Sequence, residues 1–286
     1  MIEPKTLVAD ARALPPLSPA LSELLRLLRT PRVSAEQLEK AVLRDASLAA
    51  NLLRIANSPW FGLRRQVTSL AHAVTLVGLS RVNQLAMTMS LQASLPKSLP
   101  GYGLSQPDFM AHSIAVGFLA ERIAKAVMPQ RSGPYFVAGL LHDIGKLILA
   151  RHLIEKQHEM DEMSRSLTMV CAEREVLGTD HTEVAALVGN AWQLPKEVTA
   201  AATGHHFPSH FIDSPYSYLV DVVHVANMTA HALGYGRDAA GLARSPDPET
   251  FKRLAIRPAV IEHIVSECLD SLVDLCRTAT AEEPQS

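Results

Sequence analysis

Aromatic residues make up only 5% of the 286-residue sequence, and there are three cysteines. Sheets draw on aromatic and β-branched side chains, so this shortage argues against a β fold. The cysteines, Cys171, Cys268 and Cys276, show no C-x-x-C spacing. They exclude a disulfide framework and read as thiols in a reducing cytoplasm. No apolar run approaches the ~20 residues of a membrane span. The start, MIEPKTLVADARALPP, lacks the charged-then-apolar pattern of a secretory signal. The expectation is a soluble, cytoplasmic protein with no membrane partner. Neither sign of charge dominates: 27 Lys and Arg stand against 29 Asp and Glu, a net of -2. That balance supplies no strong pull toward nucleic acid or an anionic surface. A Walker motif, a dinucleotide fingerprint, a Ser-His-Asp layout, strand alternation and internal repeats are all missing as well.

What the chain does have is aliphatic bulk and histidine. Hydrophobic residues reach 48%, rich in Leu, Ala and Val, and there are twelve histidines. The composition predicts an all-α protein, long enough for one large or two modest domains. Residues 1–13 read as a flexible arm. Ser18-Pro19 opens a helix with proline at its first position, and Leu21, Leu24, Leu25 and Leu28 follow helical spacing. Ser34 with Gln37 forms a capping-box pattern, Asp45 can cap the next helix, in DASLAANLLRIANS, and Gly78 ends SLAHAVTLVG. The run KSLPGYGLSQP places a boundary near residues 95–106. Beyond it, a long helix carries His112, a helix opened by Pro134 carries His142 and Asp143, and Gly178 ends a weaker helical stretch. Asp180 with Glu183 gives a second capping-box pattern and puts His181 in a first helical turn. Pro195 opens KEVTAAAT, Gly204 closes it before His205-His206, and two long helices follow.

The stretch AGLLHDIGKLILARH sets a His and an Asp side by side in apolar surroundings. Burying them is costly unless something compensates, and a cation would. On a helix adjacent residues point about 100° apart, so the pair converges only in a groove between helices. Lys146 lies on the same side, and Gly145 lets another helix or an anion approach closely. Imidazole with carboxylate suits iron, manganese, zinc or nickel. The other candidate ligands are His112, His181, His205 and His206. His72, His158 and His263 are given no role, and His152 and His210 are expected to face solvent. Arg64-Arg65 reads as a solvated loop; Trp60-Phe61 and Trp192 read as packing beside helix ends.

The motif LLHDIGK resembles the central motif of the HD superfamily, and the chain as a whole resembles its HDOD branch. Five blocks occur in HDOD order: LLRIANSPWFG, SLAHAVTLVGLSRV, AGLLHDIGK, the stretch from Glu175 through DHTEVAALVGNAWQLP, and GHH. The resemblance runs from about Leu14 to about Leu233. It implies an HD-like helical core at 105–235, preceded by an N-terminal helical part at 14–100. C-terminal helices at 245–280 and a disordered tail at 281–286 complete the division. It also implies a metal set of His112, His142, Asp143, His181, His205 and His206, with Lys146 as the phosphate-contacting lysine. The later aspartate of active HD enzymes matches Asn227 here, a neutral and weaker ligand.

These readings lead to two functions. The first is a bacterial regulatory signal-transduction module with a degenerate metal pocket, acting without catalysis through a signalling protein partner or a nucleotide ligand. The alternative is a metal-dependent phosphohydrolase or phosphodiesterase acting on a nucleotide or cyclic dinucleotide, with Asp143 and Lys146 as its catalytic candidates. A nucleic-acid partner is disfavoured by the charge.

Overall fold

The computed structural model describes residues 1–30, 33–57, 66–130, 133–236 and 247–280. Trp60-Phe61, Arg64-Arg65 and the tail expected at 281–286 lie outside the described residues. Contacts divide the chain into two units, one of Met1–Leu14 with Pro96–Cys276 and one of Pro15–Leu95 with Arg277–Ser286. The division between Leu95 and Pro96 falls at the edge of KSLPGYGLSQP.

In the second of these units, local signals account for the helices. Helix α2 (Pro19–Leu27) has proline at its start and Ser18 accepting from the Leu21 N–H. Helix α3 (Ala35–Val42) carries the full capping box of Ser34 and Gln37, and Asp45 caps α4 (Ala46–Ala56). Ser69 caps α5 (Leu70–Val77), and Gly78, at φ 96°, turns the chain into α6 (Leu79–Ser94). This left-handed region costs glycine little and a side-chain-bearing residue more. Leu24, Leu38, Leu52 and Leu91 are fully buried and form the aliphatic core.

The other unit begins with a difference from expectation. Residues Pro4–Ala13 form helix α1 rather than a loose arm. The cause is packing: Leu7 and Ala11 are buried, the Ile2 N–H donates to the Leu177 carbonyl, and His152 bonds Asp10 at 2.7 Å. His152 therefore holds α1 and does not simply face solvent. The Pro- and Gly-rich run forms a small antiparallel pair, β1 (Ser98–Leu99) with β2 (Leu104–Ser105). Tyr102 lies between the two strands.

Helix α7 (Gln106–Val127) packs against α8 (Tyr135–Leu140) and α14 (Ser217–Ala232). Gly117 and Gly139 make the first crossing close, since a Cβ on Gly139 would meet the Gly117 backbone at 2.6 Å. After α8 come α9 (Lys146–His152), α10 (Gln157–Met163), α11 (Met169–Leu177), α12 (His181–Ala191) and α13 (Lys196–Gly204). The chain closes with α15 (Pro248–Arg253) and α16 (Pro258–Thr280). Among the described residues the architecture is all-α apart from the single two-residue pairing. No helix among them is long and apolar enough to cross a membrane.

Candidate metal centre

His142 and Asp143 do not sit inside a helix as the apolar pattern predicts. They occupy a tight turn between α8 and α9, where the Ile144, Lys146 and Leu147 N–H groups each donate to the carbonyl three residues back. In this turn the Gly139 carbonyl accepts from the His142 backbone N–H at 3.4 Å and from His142 Nδ1 at 2.7 Å. Both side chains end up inside, His142 at 0% and Asp143 at 2% exposure. Gly145 makes this burial feasible, because a Cβ there would lie 1.9 Å from the His181 carbonyl oxygen. The space opened by that glycine is filled by the start of α12, which sets His181 against Asp143.

Each remaining residue arrives from a separate element. Helix α7 supplies His112, the start of α12 supplies His181, and the turn after α13 supplies His205-His206. Asp180 fixes α12 by accepting from the Thr182 and Glu183 N–H groups. The capping box expected there lacks its return arm: Glu183 accepts from Thr179 Oγ1 at 2.8 Å instead.

Four imidazoles share one hydrogen-bonding logic. The Nδ1 atoms of His112, His142 and His205 contact the Tyr235, Gly139 and Ala202 carbonyls at 2.7, 2.7 and 3.0 Å. His181 Nδ1 meets Glu173 Oε2 at 2.7 Å. Carbonyl and carboxylate oxygens only accept, so Nδ1 carries the proton in each neutral ring and Nε2 presents a lone pair. Those lone pairs converge. His112 Nε2 is 3.2 Å from His142 Nε2, and His181 Nε2 is 3.4 Å from His205 Nε2. Asp143 Oδ2 lies 3.7 and 3.5 Å from the first pair, and Oδ1 lies 3.3 and 3.6 Å from the second.

The electrostatics keep the lone pairs bare. Burial pushes His112 down to about 4, against the pull of Asp143, and pushes His142 and His206 well below the usual imidazole range. His205 is lowered for the same reason. Burial alone would raise the Asp143 carboxyl, but the positive charge beside it, the Lys146 ammonium included, holds it well below the carboxylate range. Converging lone pairs and a carboxylate, buried and without protons between them, repel unless a cation lies among them. Asp143 Oδ1 is buried with no hydrogen-bond donor, which fits that requirement. Two donor groups, each with its ligand atoms within 4.8 Å of one another, can hold a metal: His112, His142 and Asp143, and Asp143, His181, His205 and His206.

A cavity of about 340 Å³ opens on this cluster, lined by Tyr102, His112, Asp143, Lys146, Asn227 and His231 among others. Lys146 Nζ contacts Asp143 Oδ2 at 2.6 Å. Asn227 is 1% exposed and its Oδ1 has no hydrogen-bond partner. Asp221 is committed elsewhere, to Arg253 and Thr250 of α15. His158 and His263 pair with exposed glutamates on their own helices, and His210 is exposed beside the Phe207 ring.

Sequence reasoning missed Glu173, Tyr102 and His231. Glu173 is fully buried, accepts from the Tyr102 hydroxyl at 2.7 Å, and receives both the His181 backbone N–H and Nδ1. A signal existed, since Glu173 falls in the helical phase of buried Val170 and Leu177. His231 follows Asn227 by one helical turn, and its ring centroid is 4.8 Å from that of His112.

The model of the HDOD domain family matches residues 14–208. A protein from Treponema pallidum is 26% identical over 230 residues, covering 77% of this chain; the match spans 42% of that relative's length. Among solved structures, an HDOD domain protein of unknown function from Geobacter sulfurreducens is similar at 22% identity and a TM-score of 0.71, covering 97% of this chain and 98% of that one. A candidate signal transduction protein from Marinobacter aquaeolei gives 24% and 0.75, covering 94% of this chain and 60% of that one. A candidate phosphohydrolase from Shewanella amazonensis gives 20% and 0.73, covering 96% and 97%. These likenesses establish the shared fold.

Proposed function

Since the chain belongs to the HDOD family, and its site gathers converging donors around Asp143, we propose that it is a regulatory signalling module whose metal-holding pocket binds a small phosphate-bearing ligand without turning it over. His112, His142, Asp143, His181, His205 and His206 are the donors from which a metal would draw its ligands. When bound, the metal supplies positive charge for a phosphate or carboxylate oxygen. The chain's own residues do the rest. Lys146 offers a second positive charge at the cavity wall, Tyr102 and His231 border the ligand space, and Glu173 fixes the orientation of His181. A signalling partner protein would read the loaded state. A cytoplasmic location goes with this reading, as Cys171, Cys268 and Cys276 form no disulfide among the described residues.

Asn227 is the observation that carries the non-catalytic half of the proposal. It lines the cavity where the resemblance expects an aspartate, and its amide oxygen is buried without a partner. A neutral amide leaves the donor set one negative charge short, and cannot take up a proton as a carboxylate would. The alternative, a metal-dependent phosphohydrolase, draws support from the retained donors and from Lys146 and Asp143 lining the cavity. Relatives of this fold carry both descriptions, so the fold does not choose between them.

Turnover of cyclic dinucleotides and of bis(p-nitrophenyl) phosphate, with iron, manganese or zinc added, decides the matter. The expected result is tight metal binding with no turnover. Hydrolysis that disappears in His142→Ala and Asp143→Ala would establish the phosphohydrolase reading instead. Failure to retain any of these metals would remove the metal pocket.

A further inference from the structure

The two donor groups share Asp143 on unequal terms. Oδ1 faces His181 and His205, and is the buried oxygen with no hydrogen-bond donor. Oδ2 faces His112 and His142 but already binds Lys146 Nζ at 2.6 Å. The lysine side chain is only 11% exposed, and Nζ sits 5.8 Å from the centre of the Tyr102 ring, so the ammonium is held in place. An ammonium and a metal ion at one carboxylate oxygen compete, because both need its charge and each repels the other at such short range.

Ligand support is unequal in the same direction. The Oδ1 group has four protein donors, enough to complete a tetrahedral set, whereas the Oδ2 group has three. His181 is backed by the buried carboxylate of Glu173, which raises the basicity of its Nε2. His112 and His142 are backed only by the neutral carbonyls of Tyr235 and Gly139.

We propose that the pocket holds one metal ion, on Asp143 Oδ1, His181, His205 and His206, and that the Lys146 ammonium stands in for a second cation at Asp143 Oδ2. The assignment rests on the metal-binding reading above and specifies it. A ligand entering the cavity meets one metal and one ammonium, not a pair of metals. Lys146 is thereby a fixed counter-charge that denies the second oxygen of Asp143 to another metal.

Equilibrium dialysis of the full chain with Co²⁺, followed by elemental analysis, tests this without reference to activity. Wild-type protein takes up one equivalent, with the intense visible spectrum of a four-coordinate ion. Lys146→Met keeps most of the stem, removes the charge and takes up a second equivalent. His206→Ala weakens the first equivalent by more than about 100-fold, the upper end of what an outer partner of a ligand is worth. Two equivalents in the wild type overturn the assignment while the metal pocket stands, as does a Lys146→Met protein that stays at one. A His206→Ala protein that binds its first equivalent as tightly as the wild type does the same. Absence of bound Co²⁺ in both wild type and Lys146→Met removes the metal pocket itself. Wild-type stoichiometry and spectrum decide between one ion and two even where a variant fails to fold.

Discussion

The two units solve the same packing problem with different materials. Among described residues, the unit of Pro15–Leu95 buries no histidine, aspartate or glutamate; its buried polar side chains are Gln84, Thr88 and Ser90. The unit of Pro96–Cys276 buries His112, His142, Asp143, Glu173, His181 and His205, several of them at 0% exposure. Helices of this length need no such groups to pack, since leucine and alanine suffice in the neighbouring unit. Buried ionisable groups cost stability unless paired, so their concentration in one unit points to a ligand-binding purpose. One unit is held by local helix signals and aliphatic burial; the other tolerates a polar cluster at its centre.

Acid should break this comparison most strongly. The native protein holds His112 at about 4, against an ordinary value of 6.5, and holds His142, His205 and His206 low as well. Between those two pH values the unfolded chain binds more protons than the folded one, so stability falls as pH falls. The contribution is complete above pH 6.5 and is lost on the way to pH 4. His112 alone accounts for roughly 3 kcal/mol over that window. In metal-free protein, hydrogen exchange at pH 7.5 and pH 4.5 should show protection lost in α7, α12 and α14 while α2 to α6 keep theirs. Equal loss in both units would remove the distinction.

Two glycines sharpen it further. A Cβ at Gly145 would lie 1.9 Å from the His181 carbonyl and 2.9 Å from the Ala185 nitrogen, both backbone atoms that cannot swing aside. Gly145→Ala must displace α12 and carry His181 from Asp143, at a cost of about 3 kcal/mol, the upper part of the overpacking range. Metal retention should go with it. Gly78 in the other unit meets nothing within 4 Å and owes its place to a φ of 96°. Gly78→Ala should cost about 1–2 kcal/mol in strain and leave metal uptake unchanged. Thermal melts and metal analysis of the two variants, side by side, read both effects.

How much the sequence reveals follows the same division. The caps of α2 to α5 are legible because a cap and its partner stand within three residues, so one short pattern carries both. The histidines around Asp143 are legible only through the order of the HDOD blocks. No local spacing says that residues 112, 142, 181 and 205 meet. Glu173 escapes notice because its partner Tyr102 lies 71 positions away. The break between α8 and α9 is hidden because AGLLHDIGKLILARH has unbroken helical character. What bends it there is the approach of α12 onto Gly145, a tertiary contact with no local signature. Residues 1–13 read as an arm for the same reason: Leu7 and Ala11 need partners remote in sequence before they can be buried.

The smallest effects test whether one cap signature has one value in both units. Ser34 accepts from the Gln37 N–H at 3.2 Å, Gln37 Oε1 accepts from the Ser34 N–H at 2.9 Å, and both bonds are exposed. On truncation water replaces the lost partners, so Ser34→Ala should cost about 0.5–1 kcal/mol, the lower part of the capping range. Asp180 carries the related signature at α12 but is fully buried, accepts from two backbone N–H groups, and pairs with Arg174 at 2.6 Å. There water is excluded, and an amide nitrogen in place of Oδ2 would set donor against donor at Arg174 Nε. Asp180→Asn, which keeps an acceptor and removes the charge, should cost more than Ser34→Ala despite being the milder change. It should also weaken metal uptake, since Asp180 immediately precedes His181. Chemical denaturation of both variants, with metal uptake measured on each, checks the ordering. Equal costs and unchanged uptake would mean that burial does not set the value of these caps.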